Sequence, residues 1–553
     1  MSTIRNEIIR LSLNRAWSSI DYNIHNDFHK QYEFIKQTIL ADNSLISYEK
    51  SEAIKINSKN YDKAKILYNE GTKRICEICN KKCFATLYCE YCVQNYLISN
   101  FSNWTSGNND IDDLIQKCQA ETLIPDKIIE WIPYNDLENI NYLTRGGFSE
   151  IYIAVWINGY YYEWDFQKKR LIRFGKQNVI LKRLDNVESA SQSWFEEAKS
   201  HLTISNKYSE IVPCYGLTQN PSDGNYMLVM GKADTNLREY LQKNYSQLTW
   251  KEKTKITFLI TNALYHIHKE NSVHRDLHSG NILYSKFNDS WVISDLGFCG
   301  PADKPSTSIY GNLPYIAPEV INGKGYTFKS DIYSIAMLMW EISSGQPPFI
   351  NHEHDYNLAI NIINGMRPKI ISEIPLKYKN LMVQCWDANP LKRPDVNTLW
   401  KEIGEIKSYY QNNSNELLKS KTRINIETNY INSKMFTSKI HKFENLPEPK
   451  NATEEEQEAF HSKSYDFHIP NNIDDFNRPM NQNKQIIKGI SRKLSKIFKK
   501  FKKLWKSSKS IDIQNNYNRK HLKAVNVTDD EIYNNPNLHS EEQEELEIPD
   551  DGF

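Results

Sequence analysis

The chain has 553 residues, a formal net charge of +1, and 39% hydrophobic and 12% aromatic content. That apolar share supplies core for a large domain and a smaller one, and the near-zero net charge excludes a global field that would select nucleic acid or a membrane. No apolar run approaches the roughly 18 residues of a spanning helix, and the polar start Met1-Ser2-Thr3-Ile4-Arg5 lacks a signal-peptide core, so an intracellular, cytoplasmic protein is expected.

Residues 1–70 carry helical patterns, with Ile8, Ile9, Leu11 and Trp17 at helix spacing, but no recognisable chemistry. Residues 71–100 hold a cysteine cluster. Five of the nine cysteines fall between Cys76 and Cys92, which points to metal rather than to a disulfide framework. Cys76-x₂-Cys79 and Cys89-x₂-Cys92 form two knuckles, each able to offer two thiolates to one tetrahedral Zn²⁺ of structural type. Cys83 is a spare thiol that could replace one of them, and reduced, unligated cysteines in a helical hairpin are the alternative. Residues 101–136 place Ile111, Leu114, Ile115 and Cys118 at helical spacing, as expected of a linker helix.

From residue 137 onward, short motifs follow one another. Leu143-Thr144-Arg145-Gly146-Gly147-Phe148-Ser149-Glu150-Ile151 puts a glycine pair between apolar flanks, as in a strand-turn-strand. Aromatic residues 160–166 then extend the strands or form a docking face. Val179-Ile180-Leu181 is an apolar run ending in Lys182, and Trp194-Phe195-Glu196-Glu197-Ala198 offers two glutamates. Tyr226-Met227-Leu228-Val229-Met230-Gly231-Lys232 is a second apolar run. His274-Arg275-Asp276-Leu277-His278-Ser279-Gly280-Asn281 places Asp276 and Asn281 on one loop, with Gly280 to ease its turn. Trp291-Val292-Ile293 leads into Asp295-Leu296-Gly297, and Ala317-Pro318-Glu319, Ser330-Asp331 and Arg393-Pro394 follow.

In this order the motifs resemble a eukaryotic-type protein kinase over residues 137–405. The resemblance implies an α+β, bilobal fold with a small β-rich lobe and a larger helical lobe. It further implies transfer of the γ-phosphoryl group of ATP to a protein substrate, with Mg²⁺. On that basis Asp276 would orient the substrate hydroxyl and accept its proton, and Asn281 and Asp295 would hold Mg²⁺. Lys182 would contact the α- and β-phosphates and pair with Glu197, preferred over Glu196 because Trp194 and Ala198 flank it on one helical face. Thr144, Gly146, Gly147, Ser149 and Ile151 would line the phosphate loop, although Thr144 and Ser149 stand where glycines are usual. Met230 and Lys232 would border the adenine. Glu319 would pair with Arg393, and Asp331 would support the loop backbone. Ser306, Thr307, Ser308 and Tyr310 are candidate phosphorylation sites. Tyr315 resembles serine/threonine kinases, whereas His278 replaces their usual lysine. The sum resembles the tyrosine-kinase-like group, and a scaffold without turnover is the alternative.

Residues 406–553 turn polar and asparagine-rich, as in a mostly disordered tail. Within it, 484–509 sets Ile487, Ile490, Leu494, Ile497, Phe501 and Leu504 on one helical stripe among lysines. Such a helix suits an anionic membrane surface or a calmodulin-like partner. An acidic end, 541–551, could cover it. Isolated tail charge argues only weakly for nucleic acid.

Overall fold

The computed structural model describes residues 5–21, 24–146, 149–184, 191–205, 207–286, 289–300, 309–412 and 437–462, all within one compact unit, Met1–Tyr465. Gly147, Ser306 to Ser308, the basic stripe 484–509 and the acidic end lie outside the described residues.

Helices α1 (Asn6–Ser18), α2 (Phe28–Ala41) and α3 (Ser47–Tyr68) bury Ile9, Leu13, Ile35, Ile39 and Ala53 against one another. The last turns of α3 hold the cysteine module. Asp62 accepts the amides of Thr86 and Leu87 at 2.9 Å, and buried Lys65 donates to the Phe84 carbonyl at 2.6 Å. That module is a two-stranded turn, β1 (Arg74–Ile75) and β2 (Lys82–Cys83), followed by α4 (Glu90–Ser99).

The expected linker helix proves to be part of the small lobe. Helix α5 (Asn109–Glu121), capped by the Asn108 side chain, buries Ile111, Leu114, Ile115 and Cys118 against Leu202, Val212 and Leu228. Strand β3 (Glu130–Trp131) then joins the main sheet beside a later strand, in parallel. The sheet continues with β4 (Leu137–Arg145), β5 (Glu150–Trp156), β8 (Gln177–Arg183), β9 (Cys214–Gln219) and β10 (Tyr226–Gly231), in the order β3-β9-β10-β8-β5-β4. The aromatic insertion forms a separate hairpin, β6 (Tyr161–Asp165) and β7 (Arg170–Arg173). It does not lengthen the strands of the main sheet but forms a docking face, because Trp164 and Leu171 share a core with Tyr88, Val93 and Leu97 of the cysteine module. Helix α6 (Ser191–Ile204) packs beside the sheet, with Ala198 and Leu202 buried.

The large lobe opens with β11 (Thr235–Asn236), α7 (Leu237–Asn244) and α8 (Trp250–Lys269), the last started by a capping box between Thr249 and Glu252. Strands β12 (Ile282–Ser285) and β13 (Ser290–Ile293) pair before β14 (Ile309–Gly311) and the short α9 (Pro318–Ile321). Helix α10 (Phe328–Ser344) is buried on all sides from Ser330 to Ser344, as a helix at the centre of a helical lobe must be. Helices α11 (Tyr356–Ile363), α12 (Leu376–Cys385) and α13 (Val396–Asn412) enclose it. One stretch of the region expected to be mostly disordered is folded. Residues 437–462 form β15 (Lys439–His441) and α14 (Glu454–His461), and Phe460 enters the core of this lobe. No helix among the described residues is long and apolar enough to cross a membrane.

Arg393 is fully buried and forks onto Glu319 at 2.6 and 2.7 Å, joining the segment after β14 to the turn before α13. Removing one partner of such a pair strands the other charge. Glu319→Gln is expected to cost ~3–5 kcal/mol of folding stability, read as a lowered urea midpoint at unchanged slope.

Candidate active site

Lys182 projects from β8 between two carboxylates, with its ammonium 2.6 Å from Glu197 of α6 and 2.5 Å from Asp295 after β13. Burial opposes the charge on Lys182, yet Asp295 and Glu197 raise its pKa above the ordinary lysine value. Burial likewise opposes the charge on Asp295, and Lys182 outweighs it, holding that carboxyl well below its usual range. Gly297 explains how α6 comes so close. A Cβ there would sit 2.8 Å from Glu197 Oε1, so a larger residue would push the glutamate away.

The loop 274–281 is fixed from below. Asp331, near the start of α10, accepts the amides of His274 at 2.8 Å and Arg275 at 3.0 Å, and His268 lies 2.9 Å from the same carboxylate. These bonds hold Arg275 at φ 72°, a conformation rare outside glycine that Asp295 also adopts, at φ 60°. Asn281 donates its side-chain amide to the Asp276 carbonyl at 2.9 Å, and its own carbonyl accepts from Ser294 N and Oγ. The loop is thereby tied to the strand end that carries Asp295. Gly280 has no unusual φ. Its small size matters instead, because a Cβ would stand 2.8 Å from the His278 ring.

Asp276 is buried, and burial, followed by the nearby Asp295 charge, pushes its carboxyl up to about 7. Burial drives His278 down to about 3, so the imidazole is neutral at the position where a lysine was expected. Asp276 and Asn281 on one loop, Asp295 on the strand end tied to it, and Lys182 on β8 thus make up the site. The hard oxygen donors suit Mg²⁺ rather than a soft metal, and the Lys182 ammonium suits phosphate.

The remaining sequence-derived site residues border this centre. Thr144 lies exposed near the end of β4, and the Gly146 amide closes the turn on the Ser149 carbonyl at 2.8 Å. Ile151 pairs with Lys182 across β5 and β8. Met230 is buried behind the sheet, and Lys232 is exposed just past β10. Tyr310 is buried and stacked on Phe298 at 3.7 Å, so its hydroxyl is not presented to solvent as a phosphorylation site would be; Ser306, Thr307 and Ser308 lie outside the described residues. Sequence reasoning missed His201, whose Nε2 accepts the Leu296 amide at 3.2 Å, and Ser438, 2.8 Å from Asp276.

In the cysteine module, Cys76, Cys79, Cys89 and Cys92 bring their sulfurs within 4.8 Å of one another. Cys76 and Cys92 are 3.7 Å apart, and Cys79 and Cys89 are 3.6 Å apart. Thiolates around one tetrahedral ion at about 2.3 Å would stand about 3.8 Å apart, so this set fits a Zn²⁺-sized ion. Cys83 stands outside the quartet, grouped with Cys89 and Glu90.

Residues 137–403 match the family model described as protein tyrosine and serine/threonine kinase. Similar curated proteins include dual specificity protein kinase zakA of Dictyostelium discoideum, 30% identical over 199 residues, covering 33% of this chain and 26% of that protein. Probable serine/threonine-protein kinase roco5 of the same organism is 29% identical over 306 residues, covering 51% of this chain and 10% of the relative. Probable serine/threonine-protein kinase roco8 is 32% identical over 250 residues, with 43% and 12% covered. The chain therefore spans about a tenth to a quarter of the length of these relatives.

Because the folded-state pKa of Asp276 lies above its ordinary 3.8, the native state holds a proton that the unfolded chain has lost. Stability is lost as pH rises from about 4 through about 7. Asp276→Asn removes this penalty and is expected to raise Tm more at pH 8 than at pH 5, measured by thermal melts at both.

Proposed function

We propose that this chain, which carries a protein kinase domain at residues 137–403, is an active Mg-ATP-dependent serine/threonine kinase of the tyrosine-kinase-like group. The observation that carries this reading is the convergence of Lys182, Glu197 and Asp295 in ion-pair contact, opposite a buried Asp276 tied to Asn281. Phosphoryl transfer asks mainly for positioning and charge stabilisation, and these residues provide both.

Lys182, oriented by two carboxylates, would steady the α- and β-phosphates. Asp295 and the Asn281 side-chain oxygen would hold Mg²⁺, which when bound neutralises charge developing between the β- and γ-phosphates. Asp276 would align the incoming hydroxyl and accept its proton at a carboxylate oxygen. The scaffold alternative draws on Thr144 and Ser149, which replace glycines in the phosphate loop. Because that loop grips phosphate largely through main-chain groups, these replacements point to weaker nucleotide binding rather than lost chemistry.

Phosphate incorporation from labelled ATP should occur on a generic Ser/Thr substrate and vanish in Asp295→Ala. Silence in both, with the protein folded, would favour the scaffold. Asp276 must be unprotonated to act as base, so kcat/KM should rise with pH along an acid limb centred near 7.

The cysteine quartet is proposed as a structural zinc site with no open coordination position. Elemental analysis should find about one zinc per chain. Cys76→Ser or Cys89→Ser should lose it and lower Tm, whereas Cys83→Ser should retain it.

A further inference from the structure

Strand β15 adds antiparallel to β14, placing Ile440 opposite Tyr310 and Lys439 opposite Gly311. Strand addition is a common way for a protein to grip an extended peptide through its main chain. Ser438, just before β15, is buried, and its hydroxyl lies 2.8 Å from Asp276 Oδ1 and 3.1 Å from His278 Nε2. The Gly280 amide donates to His278 Nδ1 at 3.0 Å, so the imidazole proton belongs on Nε2, facing Ser438 Oγ. The serine oxygen therefore accepts from His278, and its own proton points to Asp276.

Contacts further along seat the segment on the large lobe. The Lys450 amide donates to the Ile363 carbonyl at 3.0 Å, and Asn451 Oδ1 accepts the Ala388 amide at 2.8 Å. Gln457 donates to the Gly365 carbonyl at 2.6 Å and accepts the Arg367 amide. Gly365 has φ +91°, and a Cβ there would overlap the backbone of residues 450 to 452. The lobe surface is thus shaped to the segment, which is more than a chance contact of one serine requires.

We propose that Ser438 is an intramolecular phosphoryl acceptor, presented to Asp276 by a segment that fills the peptide groove until the serine is phosphorylated. This rests on the kinase reading above. In the step, a bond forms between Ser438 Oγ and the γ-phosphorus of ATP as the bond from that phosphorus to the β–γ bridging oxygen breaks. The serine proton passes to Asp276, ADP leaves, and nothing is oxidised or reduced. The product is a phosphate with close to two negative charges beside Asp276 and Asp295, and this repulsion drives the segment out of the groove. A segment bound in cis competes with any other peptide, so it raises the apparent KM by the reciprocal of the open fraction while leaving kcat alone.

The test uses the full chain with Mg²⁺ and labelled ATP, mapping phosphosites by mass spectrometry and following a generic Ser/Thr peptide in parallel. Ser438 should be labelled at a first-order rate independent of protein concentration, and an Asp295→Ala chain mixed with active chain should stay unlabelled there. The double variant Asn451→Ala/Gln457→Ala alters only the segment, so the lobe still folds. It should lower peptide KM roughly tenfold at unchanged kcat, as expected from losing two anchoring hydrogen-bonding side chains. Preincubation with Mg-ATP should lower KM in the unmodified chain but not in Ser438→Ala. Peptide phosphorylation with Ser438 unlabelled, or labelled only at a rate rising with concentration, would overturn the proposal and leave the kinase reading intact. No transfer to peptide or to Ser438 would overturn the kinase reading, and the proposal with it.

Discussion

The ammonium of Lys182 is the point on which the two lobes agree. A strand of the small lobe, the helix beside it and a loop of the large lobe each contribute one charge, and no one of them could stay buried alone. Two carboxylates around one cation leave a net negative centre, which an approaching Mg²⁺ would balance. The same surplus reaches Asp276 and, with burial, raises its proton affinity. Burial is the larger cause of that proton affinity, and the Asp295 charge, fixed by the same ion pair that aligns the lobes, adds to it. Moving α6 outward would release Glu197 from Lys182 and remove the small lobe's carboxylate from that cluster.

Rigid support sits beneath this charge cluster. Asp331 spends its carboxylate on two loop amides and His268, and the Glu319–Arg393 pair pins the segment that follows β14. These are buried, fully engaged charges whose individual removal is far costlier than any surface pair. Asp331 thereby holds Arg275 in a left-handed backbone conformation that its own sequence disfavours, and so aims the neighbouring Asp276.

What could be read in the sequence follows from the range of the interactions. Asp276 and Asn281 belong to one loop, Cys76 and Cys79 to one tight turn, and Cys89 and Cys92 to the start of α4, so local spacing carried the geometry of each pair. Glu197 over Glu196 was legible because helical spacing sets it beside Ala198 on the apolar side of its helix. Less legible was the membership of α5 and β3 in the small lobe. Helical spacing announces an apolar face but not what covers it, and a two-residue strand such as Glu130–Trp131 has no periodicity to detect. Gly280 shows a subtler error, since its need was set by the His278 ring and not by backbone freedom.

The region after residue 405 exposes the limit of composition as a guide. Low apolar content argues against an independent core, and the folded stretch 437–462 has none. It is ordered by borrowing: Phe460 enters the core of the helical lobe, β15 borrows its partner from β14, and its amides and side chains bond to carbonyls and amides already in place. Ser438 meets Asp276 across 162 residues of sequence, a contact with no local signature. A segment stabilised only by the surface it covers is also one that a single added charge can release. Order of this kind and reversibility come from the same shortage of apolar surface.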